Sequence, residues 1–134
     1  MKMSERRADR ICKTFNVGVN PSHLAITPDG KYAYVTNSNN YAIPESDSVT
    51  VLNLRKGIPK LTIKDSSFVE PYRIAIDSYG KYAYVCNSGS PGATGLLGTV
   101  SVIDINTNTV SEVISGFDGP GNIALSKEII CFNI

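Results

Sequence analysis

The feature that most constrains this chain is an internal repeat with an offset of fifty residues. Leu24-Ala25-Ile26 followed by Gly30-Lys31-Tyr32-Ala33-Tyr34-Val35-Thr36-Asn37-Ser38 recurs as Ile74-Ala75-Ile76 followed by Gly80-Lys81-Tyr82-Ala83-Tyr84-Val85-Cys86-Asn87-Ser88. A third, eroded copy runs Ile123-Ala124-Leu125-Ser126, then Ile129-Ile130-Cys131-Phe132-Asn133 after a shorter turn. Pro21, Pro71 and Pro120 mark the same place ahead of each copy. A period of this length signals an array of supersecondary units, each too small to bury its faces alone.

Inside a unit, β-branched and aromatic runs cut by turn residues read as four strands, a to d. The first unit has strands at about 22–27, 31–37, 48–54 and 59–64, with Pro28-Asp29-Gly30 turning a into b and Lys56-Gly57 turning c into d. The second repeats this at about 72–77, 81–87, 99–105 and 109–114, with Asn106-Thr107-Asn108 as the c-to-d turn. Residues 10–15 precede the first unit as a d strand would, so the chain reads d, abcd, abcd, ab. The domain layout expected is a basic tail at 1–8 and one repeat segment at 9–134, with a strand d at 10–15, units at 21–64 and 71–114, and a partial unit at 120–134.

The central strands are apolar at nearly every position, as in Tyr32-Ala33-Tyr34-Val35 and Val100-Ser101-Val102-Ile103. Such strands belong to sheets covered on both faces. No helical periodicity supplies the cover, so other sheets must, and radial stacking of four-stranded antiparallel blades gives each sheet two sheet neighbours. The fold class expected is therefore all-β, a β-propeller of which one chain holds part, to be completed by oligomerisation.

The strings Ile26-Thr27-Pro28-Asp29-Gly30-Lys31-Tyr32-Ala33-Tyr34-Val35-Thr36-Asn37 and Thr99-Val100-Ser101-Val102-Ile103-Asp104 closely resemble the YVTN-type β-propeller repeat of microbial surface-layer and related proteins. The resemblance covers nearly all of residues 9–134. Three departures stand out: Cys86 replaces the motif threonine, the b-to-c connections are long, and the third copy lacks its Pro-Asp-Gly turn. The resemblance implies a fold and little about function, because propellers host many activities.

A meander fixes which loops share an end. If a runs up and b down, the d-to-a and b-to-c connections meet at one end and the short turns at the other. The long connections, Ser38 to Asp47 and Ser88 to Gly98, thus gather on one face, where binding usually resides. Asn39, Asn40, Tyr41, Glu45, Thr94 and Leu96 are candidate contact residues there, with Tyr72 as a second tyrosine outside the repeated pairs. His23, Arg73 and Asn122 occupy one repeat position just after the blade-opening prolines. That position rings the mouth of a central channel on the same face. A polar residue of changing identity inside a repeated motif suits ligand contact; a solvated rim residue is the plainer reading.

Propellers resembling this one that act as lactonases use carboxylates and amides around a divalent ion at the channel mouth. Here the ring offers His, Arg and Asn, with no carboxylate for a hard cation. No metal or other cofactor is expected. Asp29, Asp77 and Asp104 fall in turns or at strand ends, where capping is their ordinary role.

With 13 basic and 12 acidic side chains, the net charge of +1 gives no field to attract nucleic acid or an anionic membrane. No apolar run reaches membrane-span length and no secretory signal is present, so the expectation is a soluble, non-exported chain. Cys12, Cys86 and Cys131, odd in number and set in apolar patterns, suit buried thiols of a cytoplasmic or other reducing compartment.

The functional expectation is a non-enzymatic scaffold that self-assembles into a closed ring and offers its loop-rich face to a protein or glycan partner. Two whole blades and two partial ones make an open wedge, whereas closed propellers have typically four to eight blades. Each open end would show on the order of 300 Å² of apolar sheet. An N-terminal d strand and a C-terminal ab pair are complementary parts of one blade, so a homodimer of six blades is expected. The alternatives are a lactonase-like hydrolase and a decayed fragment with no function of its own.

Overall fold

The computed structural model describes residues 13–38, 46–89, 98–117, 119–120, 122–125 and, for the backbone, 129–132. Ten strands follow one another: β1 (Pro21–Ile26), β2 (Tyr32–Asn37), β3 (Ser48–Asn53), β4 (Ile58–Ile63), β5 (Pro71–Ile76), β6 (Tyr82–Asn87), β7 (Thr99–Asp104), β8 (Thr109–Ile114), β9 (Asn122–Leu125) and β10 (Ile129–Phe132). They form two four-stranded antiparallel meanders, β1-β2-β3-β4 and β5-β6-β7-β8, and a two-stranded sheet of β9 and β10. Among the described residues no helix is long and apolar enough to cross a membrane.

The repeat is reproduced in register. Tyr34 pairs with Val51 as Tyr84 pairs with Val102, and both β3–β4 and β7–β8 carry an irregularity one residue further on. The first strand of each blade starts on its proline rather than one residue later. Proline is tolerated at the first position of an edge strand, where no ladder donor is required.

Turn chemistry explains why the strands stop where they do. The Gly30 amide donates to Thr27 O at 2.8 Å, and the Lys31 amide to Asp29 Oδ1 at 2.9 Å, with φ of 72° at Gly30. The second blade repeats this through Gly80 to Asp77 O and Lys81 to Asp77 Oδ1. At the c-to-d turn, the Asn106 amide donates to Asp104 Oδ1 at 2.9 Å. The three aspartates thus serve as turn caps. The Thr27 hydroxyl and Lys31 amide, bonded to the Asp29 carboxylate, hold its pKa below the usual value.

Each blade has a leading and a trailing face because side chains alternate along a strand. The trailing face of the first blade (Tyr34, Val49, Val51, Ile63) meets the leading face of the second (Ile74, Ala83, Val85, Ile103) in one buried cluster, with Phe68 wedged between them. The trailing face of the second blade (Tyr84, Cys86, Val100, Val102) is covered by Phe117, Ile123 and Leu125. Phe15 and Val17 lie on the leading face of the first blade, against Ala33, Val35 and Leu52.

The N-terminal strand expected at 10–15 is described only at its end. Residues 13–15 form no strand, and 10–12 lie outside the described residues. The expected pair of open ends is also narrowed, since Ile123 and Leu125 already cover the second blade's trailing face.

Candidate functional site

The loop-rich end is organised by the same bond in each blade. The Ser38 amide donates to Asn20 O at 3.1 Å, and the Ser88 amide to Glu70 O at 3.2 Å, joining b-to-c and d-to-a connections. Asn20 and Glu70 both adopt left-handed φ, 48° and 52°, to present those carbonyls. Asp47 Oδ2 accepts from the Glu70 amide at 2.8 Å and ties the first blade's loop to the opening of the second. The described ends of the long connections, at Ser38, Asp47 and Ser88, therefore lie at the same end as the d-to-a connections. Asn39, Asn40, Tyr41, Glu45, Thr94 and Leu96 lie outside the described residues. Tyr72 is on β5, 45% exposed, with its ring centre 5.3 Å from the Arg73 guanidinium carbon.

Two residues of this end that motif reading passed over are Asn37 and Asn87. Asn37 Nδ2 donates to Ser48 Oγ at 3.1 Å and Thr50 Oγ1 at 2.9 Å; Asn87 Nδ2 donates to Thr99 Oγ1 at 3.2 Å and Ser101 Oγ at 2.8 Å. Each clamps strand b to strand c where the long loop departs. Their Oδ1 atoms are buried without a partner at the same repeat position. A repeated orphan acceptor is the usual seat of a buried water. The signal in the sequence was an amide ending an otherwise apolar strand twice over.

His23, Arg73 and Asn122 do fall on three neighbouring inner strands, β1, β5 and β9. His23 Nδ1 accepts the Ile74 amide at 3.3 Å, so this residue stitches the first blade to the second. Burial, then the neighbouring Arg73 charge, lower its pKa. The stitch has two more strands to it. The Thr36 hydroxyl donates to Tyr72 O at 2.7 Å, and Ser22 Oγ lies 3.3 Å from Pro71 O. Further out, the Tyr34 hydroxyl donates to Asn108 Oδ1 of the second blade's c-to-d turn, and burial pushes the Tyr34 pKa up to about 12.

On the other side of β1, no blade of the described residues occupies the equivalent seat. A recess of about 360 Å³ is lined by Pro21, Ser22, His23, Leu24 and Val35. Leu24 and Ile26 are 53% and 52% exposed, whereas Ile74, the counterpart of Leu24, is 2% exposed. Pro21 is exposed and its counterpart Pro71 buried. Among the described residues nothing donates across to Pro21 O or Ser22 O as Ser22 and Thr36 do to Pro71 O and Tyr72 O.

Among the described residues, no group of three or more His, Cys, Asp or Glu is placed to hold a metal ion. No protein-family model matches the chain, and no curated protein matches it. Solved structures do. The hydrazine synthase of Kuenenia stuttgartiensis aligns at 26% identity and a TM-score of 0.62, over 85% of this chain and 29% of that one. A Bacteroides uniformis protein provisionally described as a 6-phosphogluconolactonase aligns at 19% identity and 0.62, over 84% and 32%. The WD40 repeats of RRP9 align at 13% identity and 0.57, over 82% and 29%. The chain thus spans about a third of the length of the structures it matches. Those neighbours include enzymes and non-enzymes alike, so they carry the architecture and not the activity. The meanders, their face-to-face stacking and these likenesses make the chain a partial β-propeller of four-stranded antiparallel blades.

Proposed function

We propose that this chain is a non-enzymatic propeller segment of the YVTN type that closes into a ring with a second copy of itself and presents its b-to-c loops to a protein or glycan partner. One observation carries the assembly: the leading face of the first blade is open at its inner strand, while the same face of the second blade is sealed. Phe15 and Val17 occupy the outer part of that open face, over Ala33, Val35 and Leu52. The inner part, with Leu24, Ile26 and the recess, is left for an ab pair. The β9–β10 sheet of a second copy is such a pair. Seating it there would merge the incomplete blades of two chains and remove exposed edges. Three blades per chain then make six per ring, and two-fold closure is the commonest oligomer symmetry.

The rim supports presentation rather than catalysis. Asp29, Asp77 and Asp104 are engaged in turns, and His23 Nδ1 is engaged by Ile74. No observation on the described residues favours a hydrolase. The test is a Leu24→Glu variant compared with the parent chain by light scattering, alongside a deletion of residues 1–15. A charge set on the buried seam should leave a folded monomer, because Leu24 is exposed within one chain, and the deletion should weaken the assembly too. A Leu24→Glu protein that keeps the parent's assembly state would refute ring closure at this face. A parent chain that purifies only as aggregate without cooperative melting would instead favour the decayed fragment.

A further inference from the structure

The three rim residues share a property that their differing identities conceal: each has its acceptors occupied or none to offer, and among the described residues each keeps donors without a partner. His23 Nδ1 is taken by the Ile74 amide at 3.3 Å, which fixes the tautomer with the proton on Nε2. Asn122 Oδ1 is taken by the Ile123 amide at 2.9 Å, which leaves both Nδ2 protons. Arg73 has no acceptor at all, and its Nε is buried without a hydrogen-bond partner.

Among the described residues Arg73 also has no counter-charge: its contacts are the Tyr72 ring at 5.3 Å and the field it exerts on His23. A guanidinium held against an aromatic ring, with a buried N–H unsatisfied and no carboxylate beside it, is costly to maintain unless something bonds to it. The ring position is donor-only across three adjacent inner strands. From this we infer that the rim formed by His23, Arg73 and Asn122 binds an oxyanion, a carboxylate or phosphate group carried by a ligand that enters the channel mouth. The planar fork of Arg73 supplies two parallel bonds to such a group, with His23 Nε2–H and Asn122 Nδ2 as flanking donors. A cation is disfavoured by the same inventory. His23 held neutral is a donor of fixed orientation and does not add a second positive charge.

The site lies on strands of a single chain, so it stands or falls separately from ring closure. The experiment titrates native protein with inorganic phosphate and, in parallel, with acetate, at constant ionic strength, and follows the Arg73 Nε–H resonance by NMR. Saturable movement of that resonance is expected with at least one anion, and the tighter of the two identifies the group the rim prefers. Arg73→Gln should weaken binding about tenfold or more. Arg73→Lys should retain part of it, and Lys56→Gln, in an exposed turn, all of it. No saturable shift with either anion, or undiminished binding in a folded Arg73→Gln protein, would overturn the assignment. If Arg73→Gln does not fold, the titration of the native resonance decides alone.

Discussion

The two whole blades have nearly the same sequence and differ in what stands in front of them. Ile74, with the first blade before it, is 2% exposed; Leu24, its counterpart, is 53% exposed. The same holds for Pro71 against Pro21. A propeller blade is therefore a half-finished object whose strands are specified locally and whose burial is supplied by a neighbour. The seam between the blades shows what that neighbour must bring: an apolar trailing face, Ser22 and Thr36 hydroxyls to cap Pro71 O and Tyr72 O, and a histidine to receive the Ile74 amide.

The sharpest way to break this comparison is to truncate both counterparts. Ile74→Ala should cost about 3 kcal/mol in urea unfolding, as for a fully buried aliphatic side chain. Leu24→Ala should cost less than about 1 kcal/mol in a single chain, since half of its surface already meets water. If the ring forms, the Leu24→Ala penalty should rise with protein concentration, because the seat is then filled. Equal penalties at all concentrations would show that the two faces are equivalent after all.

A smaller difference is expected on the trailing faces. Tyr34→Phe removes the donor to Asn108 Oδ1 and should cost about 1 kcal/mol. Tyr84→Phe should cost a few tenths of a kcal/mol, for no hydrogen bond of its hydroxyl is formed among the described residues. Thermal unfolding of the two variants measures the contrast, and a Tyr84→Phe loss as large as that of Tyr34→Phe would contradict it.

The least effect concerns pH. The folded protein favours neutral His23, so its pKa is lowered from 6.5. The unfolded chain takes up the proton first as pH falls, and stability present above about 6.5 is lost progressively below it. The melting temperature should drop modestly from pH 7 to pH 5. His23→Gln, which keeps an acceptor for Ile74 without titrating, should flatten that slope. An unchanged slope in the variant would assign the pH response elsewhere.

The strands were legible because β-branched and aromatic runs, prolines and glycines repeat at a fixed offset, and each blade's turn chemistry is local. Phe15, read as the end of a strand at 10–15, lies outside any strand and packs instead on Ala33, Val35 and Leu52, a contact that no local pattern announces. The rim was legible as a position and not as a role. His23 bonds to a residue fifty-one positions away in the next blade, and sequence periodicity does not say toward which neighbour an inner-strand side chain leans. Asn37 and Asn87 were visible as motif letters, yet their work is a clamp between strands whose pairing is non-local.

The central claim is that the open face of the first blade is completed by another copy of the chain, and the mass of the particle in solution tests it most directly. Sedimentation equilibrium across a dilution series should return twice the chain mass at high concentration, shifting toward one chain mass as the seam dissociates. A soluble, cooperatively folded species of one chain mass at every concentration would contradict it.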